Sequence, residues 1–591
     1  MSEAATHVSP QPTTVPWSAG ATQGSHPETK TQDLDRAVAD LVAAKDRWAE
    51  TGIADRIRLL ERLQRDYAVV APGSVEAACQ AKGLPQDDPR SGEEWLGGPL
   101  CIHRNLRLLI RSLTETLADG APRIPGPVTE RADGQVVAQV FPDGLYDKVL
   151  FGGLTAEVWM EKGVTKANLK DNQAAIYKRG AEKKGKVALV LGAGNVASIG
   201  PMDVLYKLFV ENQVCVLKMN PVNEYLGPFI ERGFRALVDG GFLRVVYGGA
   251  AVGKHLCSHP GVDEIHITGS DKTHDAIVWG PPGPEREARK KKGEPALTKR
   301  ITSELGNVSG VVVVPGPWDK DDVAFHALNI ASQVQNNGSF NCNAAKLVIE
   351  SASWEQRKPL LDEIRRILKA MPQRKAYYPG AEERYEAFLK AHANAEALGP
   401  RSPGIVPWTL IPDVPSSETN DVCFTSEAFC GVLGETTLDA KDPVEFLEKA
   451  VSFLNDVLWG TLNCCIIVHP RTLAEPRFAA AFDKALGALR YGTIGVNVWP
   501  ALGYGLVSTT WGAYPGHPLD DIQSGRGVVH NTFLFDRPQK SIVRGPFRIA
   551  PTPPWFFGHK KAHELGPKLA RFEMGPGVLK LTGVIWSAIR G

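Results

Sequence analysis

The sequence predicts an α/β protein with two doubly wound domains. Short apolar runs of strand length alternate with helical patterns through the middle of the chain. The first of these runs ends in a glycine turn, Gly192-Ala193-Gly194-Asn195. With 591 residues, 43% apolar and 23% charged, the chain has material for two or three domains with large cores.

Residues 1–32 are rich in Ser, Thr, Pro, Gly and Ala, lack a basic and then apolar leader, and read as a disordered tail. From Asp33 to about Tyr67, Leu34, Val38, Leu41 and Trp48 and then Ile57, Leu60 and Leu63 recur at helical steps, predicting an N-terminal helical layer. Between Gln135 and Gly163, alternating apolar residues with Asp-Gly and Gly-Gly turns predict strands that precede the main sheet. The core then opens at Lys186–Leu191 and continues with strands at Val214–Lys218, Leu243–Tyr247 and Glu264–Ile267, a spacing that predicts a parallel sheet. Residues 280–299 break the pattern with Pro, Gly and mixed charge and read as an exposed insertion. The expected domains are a cofactor-binding unit over 33–305, interrupted near 135–165, and a catalytic unit over 306–497. Residues 498–591 are expected to form an oligomerisation segment and a C-terminal extension.

Lys and Arg (67) balance Asp and Glu (66), so no global field recruits nucleic acid or an anionic surface. The basic run Arg286 to Lys292 has no interleaved aromatics and reads as a solvated loop. The nine cysteines contain no C-x-x-C pair, which predicts a reducing, cytoplasmic setting and no structural zinc.

Chemistry is concentrated at two places. Cys342 lies in a loop of small and amide residues, Asn336 to Ala345, and Glu304-Leu305-Gly306-Asn307 lies upstream after a Thr/Ser-rich strand. A thiol that forms an acyl-enzyme and a carboxylate that activates the water to break it are the two halves of thioester chemistry. The turn Gly192-Ala193-Gly194-Asn195-Val196-Ala197 matches the dinucleotide fingerprint G-x-G-x-x-G/A, but the second strand ends in Lys218 where that fingerprint has an acid.

Several motifs, in order, resemble the aldehyde dehydrogenase superfamily over roughly residues 33–530. Asn195 and Lys218 follow the first and second core strands, Ile267-Thr268-Gly269-Ser270 resembles "FTGS" and Glu304-Leu305-Gly306-Asn307-Val308-Ser309 resembles "ELGGKS". Ser426-Glu427-Ala428-Phe429-Cys430-Gly431 resembles "EEIFGP", and Gly495-Val496-Asn497 the family's late glycine-x-asparagine. Gly338 precedes Cys342 by four residues where the family usually has three.

The resemblance implies an aldehyde dehydrogenase-like fold of two doubly wound domains plus a β-strand oligomerisation element, a homo-oligomer, and NAD or NADP as cofactor. It also implies Cys342 as nucleophile, Glu304 as general base and Asn195 as oxyanion donor. Lys218, Gly253, Gly269, Ser270, Glu427 and Phe429 would hold the cofactor, and no metal is implied. The implied reaction oxidises an aldehyde to a carboxylic acid. A coenzyme A-acylating or reductive relative and an inactive structural member stand as alternatives.

Pro221 occupies the place where NAD-preferring relatives carry a Glu, so NADP is expected to be tolerated. Trp499, Trp511 and Tyr514 are candidates for an apolar entrance. Residues 537–591 carry ten Lys/Arg, two Glu and six Phe/Trp, a composition that fits either an anionic membrane surface or an arm packed across a neighbouring subunit.

Overall fold

The computed structural model describes residues 26–178 and 184–591. Most of the tail expected over 1–32 lies outside the described residues. Its last part, from His26 onward, is packed: the His26 ring stacks on Tyr247 at 4.8 Å, and Thr29 N–H donates to the Tyr247 carbonyl at 3.0 Å.

The helix Thr31–Glu50 buries Leu34, Val38, Leu41 and Trp48 as their spacing predicts, against the strands Lys186–Leu191 and Gln213–Lys218. The next helix, Ile53–Lys82, stops at Gly83, whose φ of 68° is the left-handed conformation that closes many helices. Lys82 therefore sits at a helix end, free to reach inward.

The first sheet has the order Gly525–Arg526, Arg300–Leu305, Glu264–Gly269, Lys186–Leu191, Gln213–Lys218, Leu243–Val246. All pairs are parallel except the edge strand Gly525–Arg526. The chain moves outward from Lys186–Leu191 in one direction and returns to add Glu264–Gly269 on its other side. That reversal opens a crevice at the carboxyl ends of these two strands, where α/β sheets bind ligands.

The second sheet has eleven strands. Its parallel centre runs Pro538–Arg544, Thr493–Val496, Asn463–Ile467, Gly310–Val313, Leu347–Ser351, Val432–Leu438 and Thr409–Ile411. The strands expected near 135–165 are Val136–Phe141 and Thr155–Met160, and they pair onto this same sheet through Pro538–Arg544. Residues beyond Asn497 thus supply a strand to each sheet. The insertion at 280–299 contains a helix, Pro284–Lys292, whose Arg289 pairs with Glu285 and whose Lys290 pairs with Asp275. Among the described residues no helix is long and apolar enough to cross a membrane.

Candidate active site

The two sheets face each other across a cleft of about 1360 Å³, and all nine residues singled out from the sequence line it: Asn195, Lys218, Gly253, Gly269, Ser270, Glu304, Cys342, Glu427 and Phe429.

Cys342 reaches the cleft through an unusual loop. The helix Lys320–Gln335 opens with a capping box between Asp319 and Asp322 and ends just before Asn337, Gly338 and Ser339, whose φ values are 55°, 67° and 68°. Three successive left-handed residues reverse the chain sharply. Gly adopts this conformation freely, Asn tolerates it, and Ser339 bears local strain of the kind that clusters at functional sites. The Cys342 carbonyl is then fixed by Ser309 Oγ at 3.0 Å and Asn463 Nδ2 at 3.3 Å.

Glu304 ends its strand beside the thiol. Its carboxyl neighbours the Cys342 thiol closely enough for each to shift the other's ionisation, and its Oε1 accepts from Trp511 Nε1 at 3.0 Å. Burial raises the Glu304 carboxyl to about 8, against the lowering effect of the Trp511 hydrogen bond and the adjacent Cys342 thiol. Burial and the neighbouring Glu304 and Glu427 carboxylates push the Cys342 thiol well above its ordinary value, while the Lys346 ammonium opposes this. Both groups are thus held toward their protonated forms at neutral pH, and the thiol proton gains an acceptor where Glu304 ionises.

Asn195 sits in the turn after the first core strand. Its Nδ2 donates to the Phe340 carbonyl at 2.9 Å, which leaves one amide hydrogen beside the cysteine loop. Its backbone carbonyl accepts from Lys82 Nζ at 3.1 Å, Asn337 Nδ2 at 3.0 Å and Tyr377 hydroxyl at 3.2 Å. Lys82 also donates to Asn337 Oδ1 at 2.9 Å and pairs with Glu94 at 2.7 Å, with both side chains only 4% exposed. Glu93 accepts from Asn337 N–H at 3.0 Å. One buried network thus ties the N-terminal helices, the Asn195 turn and the cysteine loop together. No motif marks it, because Lys82, Glu93 and Glu94 are remote in sequence from everything they hold.

Glu427 packs over Gly306, where any Cβ would overlap its carboxylate; the glycine after Glu304-Leu305 is what lets Glu427 approach. Burial raises Glu427 to about 7, Lys346 and Arg384 lower it, and its Oε1 is buried without a hydrogen bond. Phe429, with φ 43°, sets its ring edge-on to Tyr378 at 5.0 Å and to Phe340 at 5.8 Å.

Farther along the cleft, Lys218 projects from its strand end, and burial lowers its ammonium to about 8 while Glu224 acts the other way. Ser270 caps the helix Asp271–Val278 by accepting from Thr273 N–H at 3.1 Å. Gly253 faces open space.

Of the aromatic residues expected to form an entrance, Trp511 instead contacts Glu304, and Trp499 Nε1 donates to the Asn343 carbonyl at 2.6 Å. Tyr514 lies 5.5 Å from the ammonium of Lys540, against the second sheet. Two of the three therefore brace Glu304 and the cysteine loop.

The donor set fits a dinucleotide. A glycine turn and a helix N-terminus lie at the topological switch point, an ammonium with no hydrogen bond within the described residues stands beside them, and the orphaned Glu427 Oε1 waits for a hydroxyl donor.

The two-sheet α/β architecture is that of solved aldehyde dehydrogenases. Residues 207–379 match the model of the Aldehyde dehydrogenase family. N-succinylglutamate 5-semialdehyde dehydrogenase of Sphingopyxis alaskensis is 27% identical over 165 residues, 28% of this chain and 31% of that protein. The match thus spans about a third of that relative's length. NADP-dependent glyceraldehyde-3-phosphate dehydrogenase from Bacillus halodurans, solved with NADP, superposes with a TM-score of 0.57 at 18% identity, covering 88% of this chain and 92% of that one. A mutant of aldehyde dehydrogenase C from Pseudomonas syringae, solved with NAD+ and octanal, gives 0.57 at 16% identity over 89% and 91% of the two chains.

Proposed function

We propose that this protein oxidises an aldehyde to a carboxylic acid with NAD or NADP. The observation that carries the reading is that the neighbouring Cys342 thiol and Glu304 carboxyl line one cleft with Lys218 and the Ser270 helix N-terminus. Lys218 would hold a ribose hydroxyl, Ser270 and the helix N-terminus behind it the pyrophosphate, and Glu427 the second ribose. When bound, nicotinamide supplies the hydride acceptor.

The chain's own residues do the rest. Glu304 takes the Cys342 proton, and the thiolate adds to the aldehyde carbonyl. The free amide hydrogen of Asn195 and the Cys342 backbone N–H would stabilise the oxyanion, and with a nicotinamide to take up hydride the species left on Cys342 would be a thioester. Once Glu304 has released that proton to solvent it accepts one from water, the resulting hydroxide adds to the thioester and expels the Cys342 thiolate, and the thiolate takes the proton back from Glu304. A coenzyme A-acylating or reductive relative needs no such base beside its thiol, so Glu304 favours hydrolysis. An inactive member of the fold would have no use for a Cys342–Glu304 pair.

The proposed organisation assigns 33–305 to cofactor binding and 306–497 to the thiol chemistry. The strands near 135–165 with part of 498–591 would form a homo-oligomer interface in the cytoplasm, with contact to a membrane through the exposed end of 537–591. An apolar aldehyde suits such a location, as octanal suits the relative from Pseudomonas syringae. Following NADH or NADPH absorbance over a panel of aldehydes, with coenzyme A present or absent, tests the reading. A product that is a coenzyme A thioester, or no turnover on any aldehyde, would overturn it.

A further inference from the structure

Of the ten large apolar side chains exposed among the described residues, seven fall in two segments: Leu145 and Val149, and Met574, Val578, Leu579, Trp586 and Ile589. Leu579 is 90% exposed and Leu145 73%, far beyond the scattered single residues any surface shows. The two segments are neighbours in space. The short helix Leu145–Leu150 turns Tyr146 and Leu150 inward onto Leu565, Leu569, Phe572 and Val584, and Tyr146 meets the Phe572 ring edge-on at 5.4 Å. The helix Val578–Ile589 closes the same small cluster with Leu581, Val584 and Ala588, and turns Leu579, Trp586 and Ile589 outward.

Charge on this face is sorted by sign. The acidic side chains in and beside the two segments are all ion-paired, and Asp143, Asp147 and Glu573 are drawn in below the face: Asp143 with Arg111, Asp147 with Arg104, and Glu573 with Arg104 and Arg107, while the more exposed Glu564 pairs with Lys561. Residues 574–591 contain no acid. Lys148, Arg571, Lys580 and Arg590 are exposed around the apolar residues. The sequence composition spread the basic and aromatic character over 537–591. The structure narrows it, because Pro538–Arg544 is an interior strand and Phe547, Phe556 and Phe572 are buried.

We propose that the face formed by Val578–Ile589 and Leu145–Leu150 docks on an anionic lipid bilayer. An outward stripe of Leu, Trp and Ile rimmed by Lys and Arg, with the acids withdrawn, is the chemistry of a helix lying in the headgroup region. A protein partner of like apolar character would need acids on its side to meet this rim, whereas an anionic leaflet presents them everywhere.

The face also bears on the site. The helix Ala562–Glu573 behind it packs on Leu96–Leu100, and that turn's Gly97 carbonyl accepts from Ser198 Oγ at 2.6 Å, three residues from Asn195. Membrane docking would thus set the candidate site within a few packed layers of the bilayer. The suggestion that an apolar, membrane-derived aldehyde is the substrate rests on the proposed function, but the docking does not.

Flotation of the full-length chain with phosphatidylcholine vesicles, alone or with about 30% phosphatidylserine, tests docking without reference to activity. The expected result is at least about tenfold stronger association with the anionic vesicles, weakening as salt screens the rim. The double variant Leu579→Asp/Trp586→Asp, folded because both side chains are exposed and checked by an unchanged Tm, should lose it, and Lys580→Glu/Arg590→Glu should reduce it. Absence of binding to anionic vesicles, or binding that the double variant leaves intact, would overturn the proposal. So would a native dimer that the double variant splits in sedimentation with no vesicle binding, since the face would then join two copies of this chain.

Discussion

Trp511 Nε1 donates a 3.0 Å hydrogen bond to Glu304 Oε1 from 207 residues further along the chain. The indole offers one fixed hydrogen and no acceptor, so it favours the ionised carboxylate and works against the burial that raises Glu304 to about 8. The sign follows directly: the base is the deprotonated form, so thioester hydrolysis should accelerate as pH rises and level off above about 8. Trp511→Phe removes the opposing hydrogen bond and should move that inflection upward by about 1 unit, the scale of one charge-assisted bond of about 1.5 kcal/mol. Single-turnover hydrolysis rates against pH check this; a profile flat between pH 6 and 9 would count against Glu304 as the base.

Separating the two halves of the chemistry distinguishes Cys342 from Glu304. Cys342→Ala should remove turnover and any covalent adduct. Glu304→Gln should form the acyl-enzyme and then stall, so intact mass spectrometry after one turnover should show the added acyl group persisting. Hydrolysis at the native rate in Glu304→Gln would place the base elsewhere.

The Lys82–Glu94 pair predicts a stability effect with a catalytic signature. Lys82→Ala leaves Glu94 buried and unpaired and frees the Asn195 and Asn337 acceptors, which should cost about 3 kcal/mol in denaturant unfolding. The double variant Lys82→Met/Glu94→Leu should regain part of that stability yet keep a reduced kcat, because the Asn195 turn and the cysteine loop have still lost their shared tie. Recovery of both together would reduce the pair to a purely structural role.

Coenzyme choice follows from charges the motif did not include. Pro221 alone predicts tolerance of NADP, but Glu28 and Glu224 line the cleft with Lys218, whose ammonium burial weakens. A 2′-phosphate near Lys218 would also meet the Glu28 and Glu224 carboxylates, so NAD should be preferred by about tenfold in kcat/KM, or about 1.4 kcal/mol. Glu28 is exposed, and Glu28→Gln should narrow the ratio without altering Tm. Equal use of both coenzymes by the native chain would restore the expectation from Pro221.

Local pattern made much of this fold legible. The apolar run Lys186–Leu191 is a strand with the predicted bounds, the helical spacing of Leu34, Val38, Leu41 and Trp48 is a buried face, and the nine candidate residues meet in one cleft. Each of these is written in a short window, where side-chain period and turn chemistry act.

Partnerships between distant segments were not legible. Nothing in Pro538–Arg544 states that it joins Thr155–Met160 to the parallel strand Thr493–Val496, and nothing around Gly525 places it at the edge of the first sheet. Trp511 read as an entrance residue because an aromatic near a motif has many uses, and only packing decided that its N–H meets Glu304. The basic, aromatic end of the chain shows the division most plainly. Composition determined that residues 537–591 carry charge and rings, but tertiary structure buried Phe547, Phe556 and Phe572 and left Trp586 and Leu579 in solvent. Which face of a helix is covered depends on what else the chain brings to it, and that is settled by contacts between residues hundreds apart.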